Sequence, residues 1–433
     1  MLQLFKLLYP GMHLKRWVAL LLVALIALSV GITYLFVEFY RTVDLPAEVG
    51  DVTLQFLPRP ARAGIFIAAG AVLLFIAMWR LNKSVLDTVS PHGGNLVDQI
   101  YNYRYRARGP KIVAVGGGTG LSTLLRGLKK YTSNVTAIVT VADDGGSSGR
   151  LRRDLGVLPP GDFRNCIVAL AEAEPLMGRL FQYRFGKGSD LEGHSFGNLF
   201  IVAMTGITGN FEEAIRESSR VLAVRGQILP STLDNVTLCA ELDDHTHVRG
   251  ESEISRATVP IKRLYTTPEH PAAYPEAVKA ILDADILVVG PGSLYTSVLP
   301  NMIVEGISKA IMASDALKVY VCNVATQRGE TDGFSVVDHV RALRGHLRAN
   351  PFHFVVANNN LTKNIPSEWR VSAVQPTNRD WDDEARLVLA DVVDDANPLR
   401  HDPDKVSRVL MRLYYEKAEE IGAGEPAEAA VTT

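Results

Sequence analysis

Apolar positions along the chain fall into long uncharged runs near the N-terminus and short ones after it. Trp17 to Val37 is 21 residues without a charge, and Ala63 to Trp79 is 17. As a helix the first would extend about 31 Å, close to the hydrocarbon thickness of a bilayer. The second sits at the short end of the spanning range. Its Gly64, Ala68, Ala69, Gly70 and Ala71 would let a partner helix approach closely. The aromatics Trp17, Tyr34, Phe36, Phe39, Tyr40 and Trp79 flank the runs where interfaces are expected. This pattern predicts a transmembrane helical hairpin over residues 1–80. A cleaved signal peptide fits less well, because Tyr34 to Tyr40 is bulky where small residues are needed. A buried soluble hairpin is the remaining alternative.

Beyond residue 110 the runs shorten. Lys111-Ile-Val-Ala-Val115, Val135-Thr-Ala-Ile-Val-Thr-Val141 and Asp285-Ile-Leu-Val-Val-Gly290 are rich in β-branched residues and nearly uncharged. Lys318-Val-Tyr-Val-Cys-Asn323 and Phe352-His-Phe-Val-Val-Ala357 repeat the theme. Strands buried on both faces read this way. Between them, Leu121–Tyr131, Phe163–Glu174, Glu212–Val224 and Pro275–Ala284 have helical periodicity, and Asp404–Glu420 closes the series. The alternation predicts an α/β fold: a mostly parallel sheet with helices on both faces. Asn235–Leu242 and His247–Ile254 predict a small inserted antiparallel hairpin. Residues 81–110 read as a juxtamembrane linker, broken at Ser90-Pro-His-Gly-Gly94, with Tyr101–Arg108 suited to lipid headgroups. The core domain spans 111–421, and 422–433 is a flexible tail.

Charge refines this picture. Lys plus Arg (45) nearly balances Asp plus Glu (47), which argues against a nucleic-acid partner. Cys166, Cys239 and Cys322 are few and scattered, so neither a disulfide framework nor a zinc site is expected. Lys6, Lys15 and Arg16 precede the first long run, and Arg80, Lys83, Arg104, Arg106 and Arg108 follow the second. The segment between carries Arg41, Arg59 and Arg62 but also Glu38, Asp44, Glu48 and Asp51. The bias places both termini in the cytoplasm, with the domain held at the membrane.

The chemistry should lie at the strand ends. Gly116-Gly-Gly-Thr-Gly-Leu-Ser122 follows the first strand, where N–H groups at a helix start attract phosphate. The candidates are Gly116, Gly117, Gly118, Thr119 and Gly120. No Lys-Ser/Thr follows, so this is not a Walker loop. Ala142-Asp-Asp-Gly-Gly-Ser-Ser-Gly-Arg150 ends the second strand. Asp143 and Asp144 stand where a carboxylate meets a ribose hydroxyl or holds magnesium, the alternative being a turn cap. Arg150 and Arg164 suit phosphate or loop ordering, with Asn165 beside them, whereas Arg152 and Arg153 read as a solvated basic face. His194 is either structural or a proton-transfer group, and Asn198 either starts a helix or faces a ligand. Gly290, Gly292 and Ser293 form a second anion-binding turn. Tyr295 after them stacks on a base or fills the core. Asn323, Thr326 and Gln327 end the next strand with polar groups that line the same crevice.

Together, Gly116–Ser122, Ala142–Arg150, Pro159-Pro-Gly-Asp162, Gly290–Ser297 and Thr326–Gly333 closely resemble, in order, the motifs of the bacterial gluconeogenesis factor family. That family lies in the superfamily of 2-phospho-L-lactate transferase. The resemblance spans about residues 111–395 and leaves out the hairpin, which many relatives lack. It implies a Rossmann-like core that binds a nucleotide sugar such as UDP-N-acetylglucosamine. It also implies a regulatory role in cell shape and wall synthesis on gluconeogenic carbon, with wall-synthesis or morphogenesis proteins as partners. A homo-oligomer is compatible with it. In this reading Gly116–Gly120 and Gly290–Ser293 hold the diphosphate, Asp143 and Asp144 face ribose or magnesium, and Asn323, Thr326 and Gln327 line the sugar side. No catalytic residue is assigned. The alternative is a magnesium-dependent transferase that moves a phospho-lactyl-type group from a nucleotide diphosphate donor.

Overall fold

The computed structural model describes residues 14–42, 54, 56–89 and 106–420, apart from 173–174, 189, 348, 364, 377–380 and 382–384. The break at Ser90–Gly94, the stretch from Tyr101 to Tyr105 and the tail lie outside these residues. The chain divides into two units, Met1–Tyr105 and Arg106–Thr433.

The first unit contains two helices, α1 (Leu14–Thr42) and α2 (Arg59–Val89). Their described apolar side chains, Val23, Ile26, Leu28, Leu73 and Phe75 among them, are exposed. One stretch, Pro60–Ala77, has the length and apolarity to cross a bilayer, while the apolar part of α1, Val23–Phe39, is shorter.

The second unit is built on a parallel sheet. Its strands are β1 (Ile112–Gly116), β2 (Val135–Val139) and β3 (Gln227–Pro230) in the first half. A three-stranded antiparallel sheet follows, made of β4 (Thr237–Leu242), β5 (His247–Arg249) and β6 (Ile261–Thr267) in the order β5-β4-β6. The large sheet then resumes with β7 (Ile286–Val289), β8 (Leu317–Val321), β9 (Phe354–Asn358) and β10 (Arg386–Ala390). Its order is β10-β9-β8-β7-β1-β2-β3, and every neighbouring pair is parallel. Helices α3 (Gly118–Leu128), α4 (Gly146–Leu155), α5 (Gly161–Leu170), α6 (Pro175–Gln182) and α7 (Phe196–Thr208) fall between β1 and β3. The central strands β1 and β7 are buried throughout, which explains their uninterrupted apolar sequences.

The inserted element differs from the expected hairpin. Its second strand stops at Arg249, because Gly250 adopts a positive φ of 103° and turns the chain into the helical turn Glu251–Ile254. Its third strand, β6, is half exposed and carries Lys262 and Arg263, so its alternation was hidden in the sequence.

This topology positions the site. From β1 the chain steps outward to β2 and β3, then returns and steps the other way from β7 to β10. The carboxyl ends of β1 and β7 are therefore the switch point, where connecting loops part and leave a crevice. The Gly116 loop faces the Gly290 loop there, on the opposite side of β1 from the end of β2.

Candidate functional site

A cavity of about 280 Å³ opens at the β1/β7 switch point. Gly117–Gly120 form one wall and Pro291–Ser293 the next, with Asn323–Arg328, Arg400 and His401 opposite. Gly116 and Gly290 finish the strands beneath: Gly290 N–H donates to Val115 O at 3.0 Å, and Gly116 O accepts from Asn301 Nδ2 at 3.0 Å. A larger surface groove, about 1540 Å³, lies elsewhere, between β6 and the helices Glu305–Ala313 and Val336–Leu347. Size alone does not mark the chemistry.

Helix α3 starts at Gly118 with no side-chain cap. Gly118 N–H donates to Asp162 Oδ2 at 2.7 Å, and Leu121 N–H returns to Gly117 O at 3.4 Å. The N–H groups of Thr119 and Gly120 lie between, where a helix start leaves donors without an intrahelical acceptor. Amides placed this way at a helix start suit an anion. Gly120 is where the two loops touch. A Cβ there would meet Pro291 O, come within 2.7 Å of Pro291 C and within 2.9 Å of Gly292 Cα.

The far wall is tied by a chain of side-chain hydrogen bonds. Asn323 Oδ1 accepts from Gly292 N–H at 3.2 Å. Ser293 Oγ donates to Gln327 Oε1 at 2.5 Å, and Gln327 Nε2 donates to Glu330 Oε1 at 2.6 Å. Buried Glu330 also accepts from Thr296 Oγ1 at 2.9 Å and Tyr295 N–H at 3.2 Å. Burial raises its pKa, and these donors oppose that rise. Thr326 is fixed to Ser372, accepting its N–H at 3.0 Å. Arg328 and Arg400 bring cations to the exposed rim. His401 Nε2 donates to Cys322 O at 3.0 Å, and burial lowers its pKa to about 4, so it is neutral.

On the other side of the glycine loop is a group of carboxyls. Asp143 Oδ1 accepts Gly145 N–H at 2.8 Å, and Asp144 Oδ1 accepts Ser252 N–H at 2.9 Å. Asp162 and Glu251 join them. Burial first, then the Asp143 charge, raises Asp162 to about 6 against the pull of Gly118 N–H. Glu251 rises to about 9 through burial and then the charges of Asp143 and Asp162, and it hydrogen-bonds Asp143. Burial and the neighbouring acids thus favour a proton held on Glu251 within this carboxyl group. Among the described residues no three His, Cys, Asp or Glu side chains form a metal cage. Asp143 and Asp162 fit magnesium only in the manner of an ion that arrives with phosphate and keeps its waters.

The remaining candidates have other tasks. Arg150 orders a loop: its Nη2 donates to Glu192 O at 2.7 Å. Arg152, expected on a solvated face, is half-buried and pins the start of β4 through Asn235 Oδ1, 3.0 Å from its Nε, and through Val236 O. Arg164 is 5% exposed and donates through Nη2 to Asn165 Oδ1 at 2.9 Å, while its Nε and Nη1 are buried without acceptors. Burial, then Arg184, lowers its pKa to about 10. Its charge acts on Asp162, so Arg164 and Asn165 belong with the acids and not with the glycine cavity.

Asn198 Nδ2 donates to Ser147 Oγ at 3.0 Å, and the same oxygen is hydrogen-bonded to His194 Nδ1 at 3.0 Å. Burial lowers the pKa of His194 and favours its neutral form. These three side chains bolt α4 to α7. Ser195, not Asn198, caps α7. Tyr295 is in the core, edge-on to Phe334 and His346, away from the cavity.

Sequence reading missed Asp162 as a site residue, although it stood in a quoted motif. Arg328 likewise stood inside the Thr326–Gly333 motif, whereas Glu251, Arg400 and His401 carried no local signal, because only tertiary packing brings them to the glycine loops.

The family described as 2-phospho-L-lactate transferase CofD matches residues 112–396. A protein of Bacillus subtilis (strain 168) named gluconeogenesis factor is 46% identical over 313 residues, 71% of this chain and 99% of that protein. A relative from Nostoc sp. (strain PCC 7120), provisionally given the same name, is 45% identical over 425 residues, 95% of this chain and 93% of its own. The N-terminal unit is therefore shared with some relatives and not others. A crystal structure of a UPF0052 family member from Bacillus halodurans superposes with a TM-score of 0.67 at 44% identity, covering 70% of this chain and 99% of that one. A match of that extent is too long for the first unit, so that relative shows the second unit's fold standing alone. The chain belongs to the family described as 2-phospho-L-lactate transferase CofD, among the relatives named gluconeogenesis factors.

Proposed function

We propose that the second unit binds a nucleotide diphosphate sugar of the UDP-N-acetylglucosamine kind and acts as a regulator of cell shape and wall synthesis on gluconeogenic carbon. The observation that carries this reading is the β1/β7 cavity. Free amides of Thr119 and Gly120 face Ser293, Asn323 and Gln327 across it, with Arg328 and Arg400 at the rim. Amides and rim cations suit a diphosphate, and the hydroxyl and amide side chains suit sugar hydroxyls. Titration calorimetry is expected to give micromolar affinity, about 8 kcal/mol, for UDP-N-acetylglucosamine or a close relative. Absence of heat with every nucleotide sugar tried would overturn the reading.

The carboxyl group at Asp143 and Asp162 favours a second reading, magnesium-dependent transfer of a phospho-acid group. Here Asp143 and Asp162 would hold the ion, which would supply charge neutralisation at the phosphates. Incubation with a nucleotide-activated phospho-acid, magnesium and a deazaflavin acceptor would then release nucleoside monophosphate, and no release removes this reading.

We also infer anchoring by two spans with both termini cytoplasmic: the exposed apolar side chains of α1 and α2 support contact with lipid, Pro60–Ala77 has the length to cross, and the flanking cations give the orientation. Full-length protein is expected in the membrane fraction; recovery only in the soluble fraction refutes anchoring.

A further inference from the structure

We propose that the second unit has its own lipid-contact face, formed by α6 and the segment after it, which seats on an anionic bilayer surface. From Pro175 to Gly188 the sequence has no acid and three cations, Arg179, Arg184 and Lys187. Helix α6 is held to the core by Phe181 and by the half-buried Met177. Phe181 is buried against Phe196 and Phe200, with ring centroids 5.8 and 5.0 Å away. The other large side chains face outward: Leu176 is 63% exposed, Leu180 38% and Tyr183 53%. Helix α7 beside it is uncharged over all 13 residues and leaves Ile207 79% exposed. Lone exposed leucines are ordinary, but a group on adjoining helices marks an interaction surface.

The cations identify the occupant. Among the described residues no carboxylate pairs with Arg179, Arg184 or Lys187, and Arg184 Nη1 donates only to Gly193 O at 3.1 Å. Of the nearby acids, Asp190 is exposed and Glu192 turns its Oε2 to Gly188 N–H at 3.3 Å. Leucines and a tyrosine among unpaired cations match the boundary between acyl chains and anionic headgroups. A two-fold contact between copies would instead set like charges against each other. The inference stands apart from the nucleotide-sugar and anchoring readings, since it uses neither the cavity nor α1 and α2.

The test is vesicle flotation of residues 106–433, the unit that stands alone in the solved relative. Binding is expected to vesicles of phosphatidylcholine with phosphatidylglycerol and not to phosphatidylcholine alone. Arg179→Gln and Lys187→Gln should each weaken it about fivefold. Leu180→Glu should remove it while circular dichroism and thermal melting stay unchanged. Equal binding to both vesicles, no binding to either, or variants that bind like the parent would overturn the proposal. A concentration-dependent dimer in sedimentation, lost in Leu180→Glu, would assign the face to a second copy and likewise overturn it.

Discussion

Replacing Gly120 with alanine is expected to abolish ligand binding at the β1/β7 cavity and to destabilise the second unit by about 1–3 kcal/mol. The new methyl would point into the backbone of Pro291 and Gly292, within 2.7 Å of a carbonyl carbon and 2.9 Å of a Cα. A flexible side chain yields to such a collision, but a backbone held between β7 and a buried turn does not. The loops must part, which moves the Thr119 and Gly120 amides away from Gly292 and Ser293. Gly186→Ala is the control: nothing lies within 4 Å of its Cβ position. Its effect should stay within about 0.5 kcal/mol. Denaturant unfolding and calorimetry of the two variants together check the claim. An unchanged midpoint for Gly120→Ala would show that the loops do not touch as described.

Glu251→Gln is expected to remove a loss of stability that this unit suffers as pH rises. The folded-state pKa of Glu251 is raised from 4.5 to about 9, by burial and by Asp143 and Asp162. Between these values the folded state keeps a proton that the unfolded chain has lost. Stability from this group is therefore fully present below pH 4.5 and is lost as pH rises through 9. Asp162, raised from 3.8 to about 6, adds a slope of the same sign in a lower window. Glutamine keeps a donor for Asp143 and cannot ionise. The variant should match the parent near pH 5 and exceed it in unfolding midpoint near pH 9. Parallel midpoints across that range would mean that Glu251 is an ordinary solvated carboxylate.

Much of the fold was legible because its signals are local. The strands beginning near Ile112, Val135, Ile286, Leu317 and Phe354 are buried on both faces, so each had to be an apolar run. β10 escaped notice because it is an edge strand with only partly buried residues. Helix α4 was hidden as well, since Gly146-Ser-Ser-Gly149 weakens helix propensity and no side chain caps its start. Paired Asp143 and Asp144 looked equivalent in sequence, yet Asp144 is committed to Ser252, 108 residues away. Tyr295 looked like a stacking residue because aromatic character says nothing of direction.

Local residue pattern dictates the strand-loop-helix units, the glycine turns at their ends and the apolar helices before them, because each depends on neighbours a few residues apart. Which turns share a cavity is set by long-range packing. The Gly116 loop meets the Gly290 loop because β7 inserts beside β1 across 174 residues, with Lys111 N–H held by Asp285 Oδ2 at 2.7 Å. Strand order is set by which buried faces pack together, and no local pattern encodes it. The same packing places Asp162 and Glu251 among the strand-end acids and Arg328 and Arg400 at the cavity rim, where charges distant in sequence act on one site.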